Sequence, residues 1–257
     1  MIKKALKYSI ITVAWLVVWQ IMAMAINKEL LFPTPIAVAG RLGELMLTTE
    51  FYKIIAHSLL RILAGLSIGA LLGALGGTLT ALSRTARAIF APPLAVIKST
   101  PVASFIILLV LWVSRDLAPL IIALMMVTPI VWMGVETGIL NTDKALLEMA
   151  RAYKMPLAAK IGSIYYPSIA PYFLASLKSS LSMAWKAGIA TEVLLQPLIS
   201  IGKMISDSKI SLETTDLFAW TAVVVILSVI IEKTTVFVLK KALKNHPLQE
   251  KGGATIG

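Results

Sequence analysis

Residues 146–171, LLEMARAYKMPLAAKIGSIYYPSIAP, set Glu148, Arg151, Lys154 and Lys160 inside a chain that is otherwise strongly apolar. The stretch is rich in helix formers. Thr142 or Asp143 precedes it as an N-cap, and its lysines fall late, where the helix dipole favours cations. Pro156 predicts a stop. A second short turn, LAAKIGSIYY, then leads to Pro167 at the entrance of the next apolar run. The expectation is a two-part helical element lying outside a bilayer.

Composition supplies the bilayer. The 257 residues are 58% hydrophobic and 14% charged, with a mean hydropathy of +0.86, whereas soluble globular domains carry about 25% charged residues. The fold class expected is therefore an all-α integral membrane protein, with residues 1–257 forming a single transmembrane domain and no soluble module. The chain has no G-x-x-x-x-G-K-[ST] phosphate loop and no H-E-x-x-H zinc pair, and His57 and His246 stand far apart. It is expected to bind no metal or cofactor of its own and to have no catalytic residues. With no cysteine, disulfides and thiolate chemistry are excluded. The net charge of +11 comes from basic residues beside apolar runs, which points to membrane topology instead of nucleic acid.

About 20 apolar residues cross the hydrocarbon core as a helix. Five such segments stand at 8–26, 58–82, 117–140, 169–195 and 217–239. A sixth, 88–113, contains Pro92, Pro93 and the break KSTP at 98–101, and predicts a broken helix whose freed backbone groups face a cavity or neighbouring helices. The distribution of Lys and Arg places both termini inside, in a plasma membrane protein. Lys3, Lys4 and Lys7 then lie inside, as do Arg84 and Arg87, Lys144, Arg151, Lys154 and Lys160, and Lys240, Lys241, Lys244 and Lys251. Lys28, Arg41, Lys53, Arg115, Lys203 and Lys209 are left outside. The loop 141–167 is cytoplasmic in this topology, between the fourth and fifth crossings. The first apolar run, with Ala23-Met24-Ala25 behind it, has the outline of a cleavable signal, but its length, with Trp15 and Trp19, predicts a retained helix.

Two patterns stand within the spans. Gly65, Gly69, Gly73 and Gly77 recur at steps of four, a face stripped of side chains on which a second helix, expected from the same chain, can approach closely. The basic residues Arg61, Lys98, Lys178 and Lys186 cost about 2.5–3.5 kcal/mol each at mid-membrane and so call for a function. Lys178, Ser182 and Lys186 share a helix face with Trp185 beside it, and Lys98 adjoins the break. They either line a water-filled path for an anion or pair structurally, Lys178 or Lys186 with Glu136 or Glu192, while Arg61 and Lys98 snorkel to an interface.

The 146–171 stretch resembles the signature loop of the permease subunits of binding-protein-dependent ABC importers, E-A-A, three residues, Gly, nine residues, I-x-L-P. Glu148, Ala150, Ile164 and Pro167 fall in register, while Met149, Lys154 and Tyr166 replace the Ala, Gly and Leu. LLFPTPIAVAGRLGELM at 30–46 and PLAVIKSTPVASFIILLVLW are similar to segments of the nitrate/sulfonate/taurine branch, although WVSRD stands where that branch has a Gly-rich turn. The resemblance implies a type I importer permease of about six helices, paired as a homodimer. Two separate ATPase subunits would hold ATP and Mg, and an extracytoplasmic binding protein would deliver a small anionic or nitrogenous metabolite. The loop then becomes a coupling helix. Ala150 and Ala152 would leave room for close approach, Glu148 and Arg151 would form charge-assisted hydrogen bonds to the ATPase, Lys154 and Ile164 would belong to the same coupling element, and Pro167 would fix the exit into the fifth span. A stand-alone ion-coupled transporter is the alternative, but it calls for two similar halves, and no repeat is evident. A membrane-embedded enzyme would need convergent acids or histidines, whereas the charges inside these spans are mainly basic.

Overall fold

The computed structural model describes residues 2–244; His246 and Lys251 lie outside the described residues. The helices are α1 (Ile2–Ile26), α2 (Pro35–Met46), α3 (Thr49–Leu82), α4 (Arg84–Ser99), α5 (Val102–Leu109), α6 (Ala118–Leu140), α7 (Lys144–Ala152), α8 (Leu157–Lys160), α9 (Tyr166–Leu195), α10 (Ile201–Ile210) and α11 (Thr214–Lys244). A π-helical turn, Ile161–Tyr165, joins α8 to α9. Side-chain caps open several of them: Thr34 Oγ1 accepts from the Ala37 amide at 3.2 Å, Ser83 Oγ from Ala86 at 3.2 Å and Ser200 Oγ from Lys203 at 3.1 Å.

The helices α3, α6 and Thr214–Thr235 of α11 are long and apolar enough to cross a membrane, and Ile10–Ile26 is a shorter apolar helix. The helix α9 falls outside that set because Lys178, Lys186, Glu192 and several serines interrupt its apolar surface. The segment expected as one broken span is two helices, α4 and α5, bent by 98°. The cause is local. Pro101 forces Thr100 into an extended conformation (φ −79°, ψ 129°), because a residue before proline is driven out of the helical region. At eight residues, α5 is only about 12 Å long and does not traverse a bilayer alone.

By internal packing the described residues form two units, 2–59 with 189–227 and 60–188 with 228–244. In the first, Trp19 packs against Phe32 and Phe218 with ring centroids 6.3 and 5.8 Å apart, and its indole donates to the Pro33 carbonyl at 3.1 Å. Arg41 of α2 grips Asp216 at the start of α11 with two N–H groups, one at 2.9 Å to Oδ2. Glu192, fully buried, accepts from Ser58 Oγ at 2.8 Å and from the Gly202 amide at 3.2 Å, while Ser58 Oγ accepts from the Ile201 amide at 3.0 Å. This polar knot holds the first two amides of α10, groups that no helix can satisfy internally.

In the second unit the glycine face of α3 lies directly on α6. A Cβ at Gly69 would stand 2.8 Å from the Leu124 carbonyl oxygen, and one at Gly73 2.7 Å from that of Thr128. At Gly65 and Gly77 it would collide with the carbonyls of Leu120 and Trp132. The partner is thus another helix of the same chain, as small residues at regular spacing permit. Trp132 of α6 covers Gly76 and donates its indole N–H to Thr80 Oγ1 at 2.9 Å. Ion pairs also tie the unit together: Arg61 Nη2 to Asp116 at 2.8 Å, and Arg87 Nε to Glu136 at 2.6 Å, the latter close but not aligned as a hydrogen bond.

Candidate functional site

The loop 141–167 is built as α7, a reversal, α8 and the π turn. Asp143 caps α7 by accepting from the Ala145 amide at 2.8 Å. The helix ends at Ala152, ahead of Pro156, so the expected proline stop is corrected: the reversal is made by Lys154, whose φ is +48°. The Met155 amide donates to the Ala150 carbonyl at 2.9 Å and the Lys154 amide to that of Arg151 at 3.0 Å, the two bonds of a Schellman cap with lysine at the left-handed position usually filled by glycine. The position where the resembled signature loop has Gly is thus a left-handed turn here with lysine in it. Pro156 opens α8 instead.

Glu148, Arg151, Ala152 and Lys154 are exposed. Leu146, Met149, Tyr153, Leu157 and Ile161 add an apolar surface beside them, Tyr153 being 79% exposed. Ala150 and Ile164 turn the other way and are buried, 3% and 4% exposed. The expectation that Ala150 leaves room for a partner is corrected accordingly: its small side chain lets α7 seat on its own chain. Pro167 is not a fresh helix start, since α8, the π turn and α9 run on without a break.

Along α9, Lys178, Ser179, Ser182, Met183 and Lys186 line an open cavity of about 420 Å³, which Glu232 of α11 also borders. Lys178 Nζ stands 3.8 Å from Glu232 Oε1, and both side chains are about half exposed. The expected pairing of Lys178 or Lys186 with Glu136 or Glu192 is corrected, because Glu136 holds Arg87 and Glu192 holds Ser58. Trp185, expected beside the path, is 2% exposed and lies in the packed interior. Its position one residue before Lys186 puts it about 100° around the helix from that lysine. Arg61, expected to snorkel, is tied to Asp116.

A second cavity of about 420 Å³ opens at the α4–α5 bend, lined by Lys98, Pro101, Val102, Met126, Pro129 and Met183 among others. Lys98 Nζ lies 3.1 Å from the Met133 thioether sulfur, a weak acceptor for an ammonium. The structure thus brings Lys98, Lys178, Ser182 and Lys186 around two cavities of one unit. Sequence reasoning missed Glu232 and Asp116 as counter-ions, and it missed α10. Ser200 followed by Ile201, Met204 and Ile205 is the cap-plus-periodicity signal that could have found that helix.

Comparison with known proteins follows the same outline. Residues 65–245 match the family described as binding-protein-dependent transport system inner membrane component. A protein of Bacillus subtilis (strain 168) named as an aliphatic sulfonates transport permease, SsuC, is 26% identical over 230 residues, 88% of this chain and 83% of that protein. The taurine transport system permease protein TauC of Escherichia coli (strain K12) is 24% identical over 223 residues, 83% of this chain and 80% of that protein. The bicarbonate transport system permease protein CmpB of Synechococcus elongatus is 24% identical over 205 residues, 76% of this chain and 73% of that protein. Among solved structures, one titled as an amino acid ABC transporter with histidines is similar in fold, with a TM-score of 0.56 and 17% identity over 77% of this chain and 94% of that one.

Proposed function

Since this chain belongs to the family of inner membrane components of binding-protein-dependent transport systems, we propose that two copies of it form the translocation path of an ABC importer for a small anionic or nitrogenous metabolite. Two separate ATPase subunits, carrying ATP and Mg, dock on α7 and α8, and an extracytoplasmic binding protein delivers the substrate. In this reading the apolar helices, the bent pair and α9 make six crossings, with both termini and the coupling loop in the cytoplasm. The relatives' named substrates, aliphatic sulfonates, taurine and bicarbonate, support an anionic or zwitterionic cargo. The family match favours this reading over a stand-alone ion-coupled transporter.

The observation that carries the proposal is mechanical. The outward face of α7 and α8 offers Glu148, Arg151 and an apolar patch to a partner, while Ala150 and Ile164 lock the element inward. From Leu157 the helical run continues through the π turn and Pro171 to Leu195, so a displacement imposed at α8 is carried along one continuous helical segment toward Lys178–Lys186, on the order of 30 to 40 Å away at 1.5 Å per residue. Closure of the ATPase pair would then move the lysine-lined segment. Charge-assisted hydrogen bonds from Glu148 and Arg151 give the contact its orientation.

The test is co-purification in mild detergent with candidate ATPase subunits, the native partner among them. Wild-type chain should retain the ATPase, and Glu148→Lys should lose it while remaining monodisperse and membrane-inserted. An ATPase that never associates with well-folded wild-type chain would sink the proposal.

A further inference from the structure

Neither the family nor its named relatives decide whether the cargo is a compact inorganic anion or an organic one. The two cavities of the second unit bear on that choice. The first carries most of the cations and hydroxyls, with Lys178, Ser179, Ser182 and Lys186 of α9 beside Ala175 and Met183, and Glu232 of α11 also bordering it. The second, at the α4–α5 bend, is walled mainly by Ile97, Val102, Met126, Pro129 and Ile130, with Ser99 and Thr100 also lining it and Lys98 as its charged member. Met183 lines both, so they adjoin at a half-exposed, conformationally adaptable thioether. Three lysines set against one carboxylate leave a net charge of +2 across the pair. Among the described residues, the contact of the Lys98 ammonium is a thioether sulfur, which an anionic oxygen would outcompete.

Lysines in a spanning helix do not face lipid without large cost, which assigns this surface to a water-filled path. A compact hydrated anion would meet the lysines but would have no apolar surface to remove from water in the adjoining cavity. An anion with a short alkyl body satisfies both. We infer that these cavities form a two-part subsite for an organic anion, its charged head between Lys178, Lys186 and Ser182 and its apolar body past Met183 into the bend. The subsite selects against compact inorganic anions such as bicarbonate. The inference rests on the permease reading above and adds the substrate class to it.

The native chain has no cysteine, so Met183→Cys provides a single reporter at the junction. The variant is assembled with its ATPase subunits in proteoliposomes, and the rate of modification by a water-soluble methanethiosulfonate reagent is followed with methanesulfonate, butanesulfonate, bicarbonate or butylammonium present. Each methylene buried in the apolar cavity is worth about fourfold in affinity. Butanesulfonate should therefore slow modification at concentrations at least about tenfold below methanesulfonate, with bicarbonate weaker still and butylammonium without effect. Lys186→Gln, made in the same background, should weaken both sulfonates together and leave their ratio unchanged. Equal protection by bicarbonate and butanesulfonate overturns the inference, as does protection by butylammonium, or an introduced thiol that the reagent does not reach. Retained ATPase in any of those cases leaves the permease reading standing, and it is loss of the ATPase from wild-type chain that would remove that reading.

Discussion

Replacing Gly69 by alanine tests the packing on which the second unit rests. The new methyl carbon would lie 2.8 Å from the Leu124 carbonyl oxygen, 2.9 Å from Val127 Cβ and 3.1 Å from Leu124 Cα. Ordinary contact between such atoms begins near 3.5 Å, so α3 and α6 must separate by about 0.7 Å, and a gap of that size forfeits a quarter to a half of each dispersion contact along the seam. Two of the three obstructing atoms are helix backbone and cannot turn aside as a rotamer would. Overpacking of this kind costs about 1–3 kcal/mol, against which alanine regains up to about 1 kcal/mol of helix propensity. The net expectation is a loss of up to about 2 kcal/mol against wild type, and the full packing cost of about 1–3 kcal/mol against a glycine-to-alanine change that meets no neighbour. Gly162→Ala supplies the comparison within the same unit, because a Cβ there meets nothing within 4 Å, and it should leave stability unchanged or slightly raised. Thermal unfolding of the detergent-solubilised complex, followed by size-exclusion recovery after heating, should place Gly69→Ala up to several degrees below wild type, at roughly 2–4 °C per kcal/mol for a chain of this length. The reasoning is refuted if Gly69→Ala is as stable as Gly162→Ala.

Other consequences are open to the same measurements. Lys154→Gly should raise the stability of the coupling element by about 1 kcal/mol, since lysine holds a left-handed φ of +48° there that costs an L-residue roughly that amount; a lower melting temperature would contradict the Schellman assignment. Glu192→Leu strands the Ser58 hydroxyl and the Gly202 amide without their acceptor, at about 1–3 kcal/mol for each buried group, whereas Glu192→Gln keeps an acceptor oxygen and should cost clearly less in the same melting assay. Arg41 is held above its ordinary pKa by hydrogen bonds to Asp216 and then Glu44. For a base raised in the folded state, the stabilisation is complete below the unfolded value and is lost only as pH rises through the folded one, so below about pH 12 it should not vary through the arginine. Arg41→Ala should accordingly lower the melting temperature equally at pH 7 and pH 9, and a penalty that shrinks between those values would refute the assignment.

Composition and apolar run length were enough to read a helical membrane protein from the amino-acid sequence, because hydrocarbon leaves a spanning backbone few ways to satisfy its own hydrogen bonds. The break at KSTP was legible for a similarly local reason: Pro101 constrains Thr100 whatever surrounds them. The register of Glu148, Ala150, Ile164 and Pro167 marked the 141–167 element, and the step-four glycines marked a close helix contact. What tertiary structure alone decided is which groups meet. Asp116, Glu136 and Glu232 lie 55, 49 and 54 residues from Arg61, Arg87 and Lys178, and no spacing rule pairs charges at such separations. Helix periodicity placed Trp185 near the lysine face, yet only the packed neighbours of α9 show that it is interior. Likewise Ala150 reads as a gap for a partner until the fold buries it against its own chain. Local constraints act within a few residues and are written in order along the chain; burial and ion pairing depend on distant segments arriving at one place, and one sequence read alone carries no record of those arrivals.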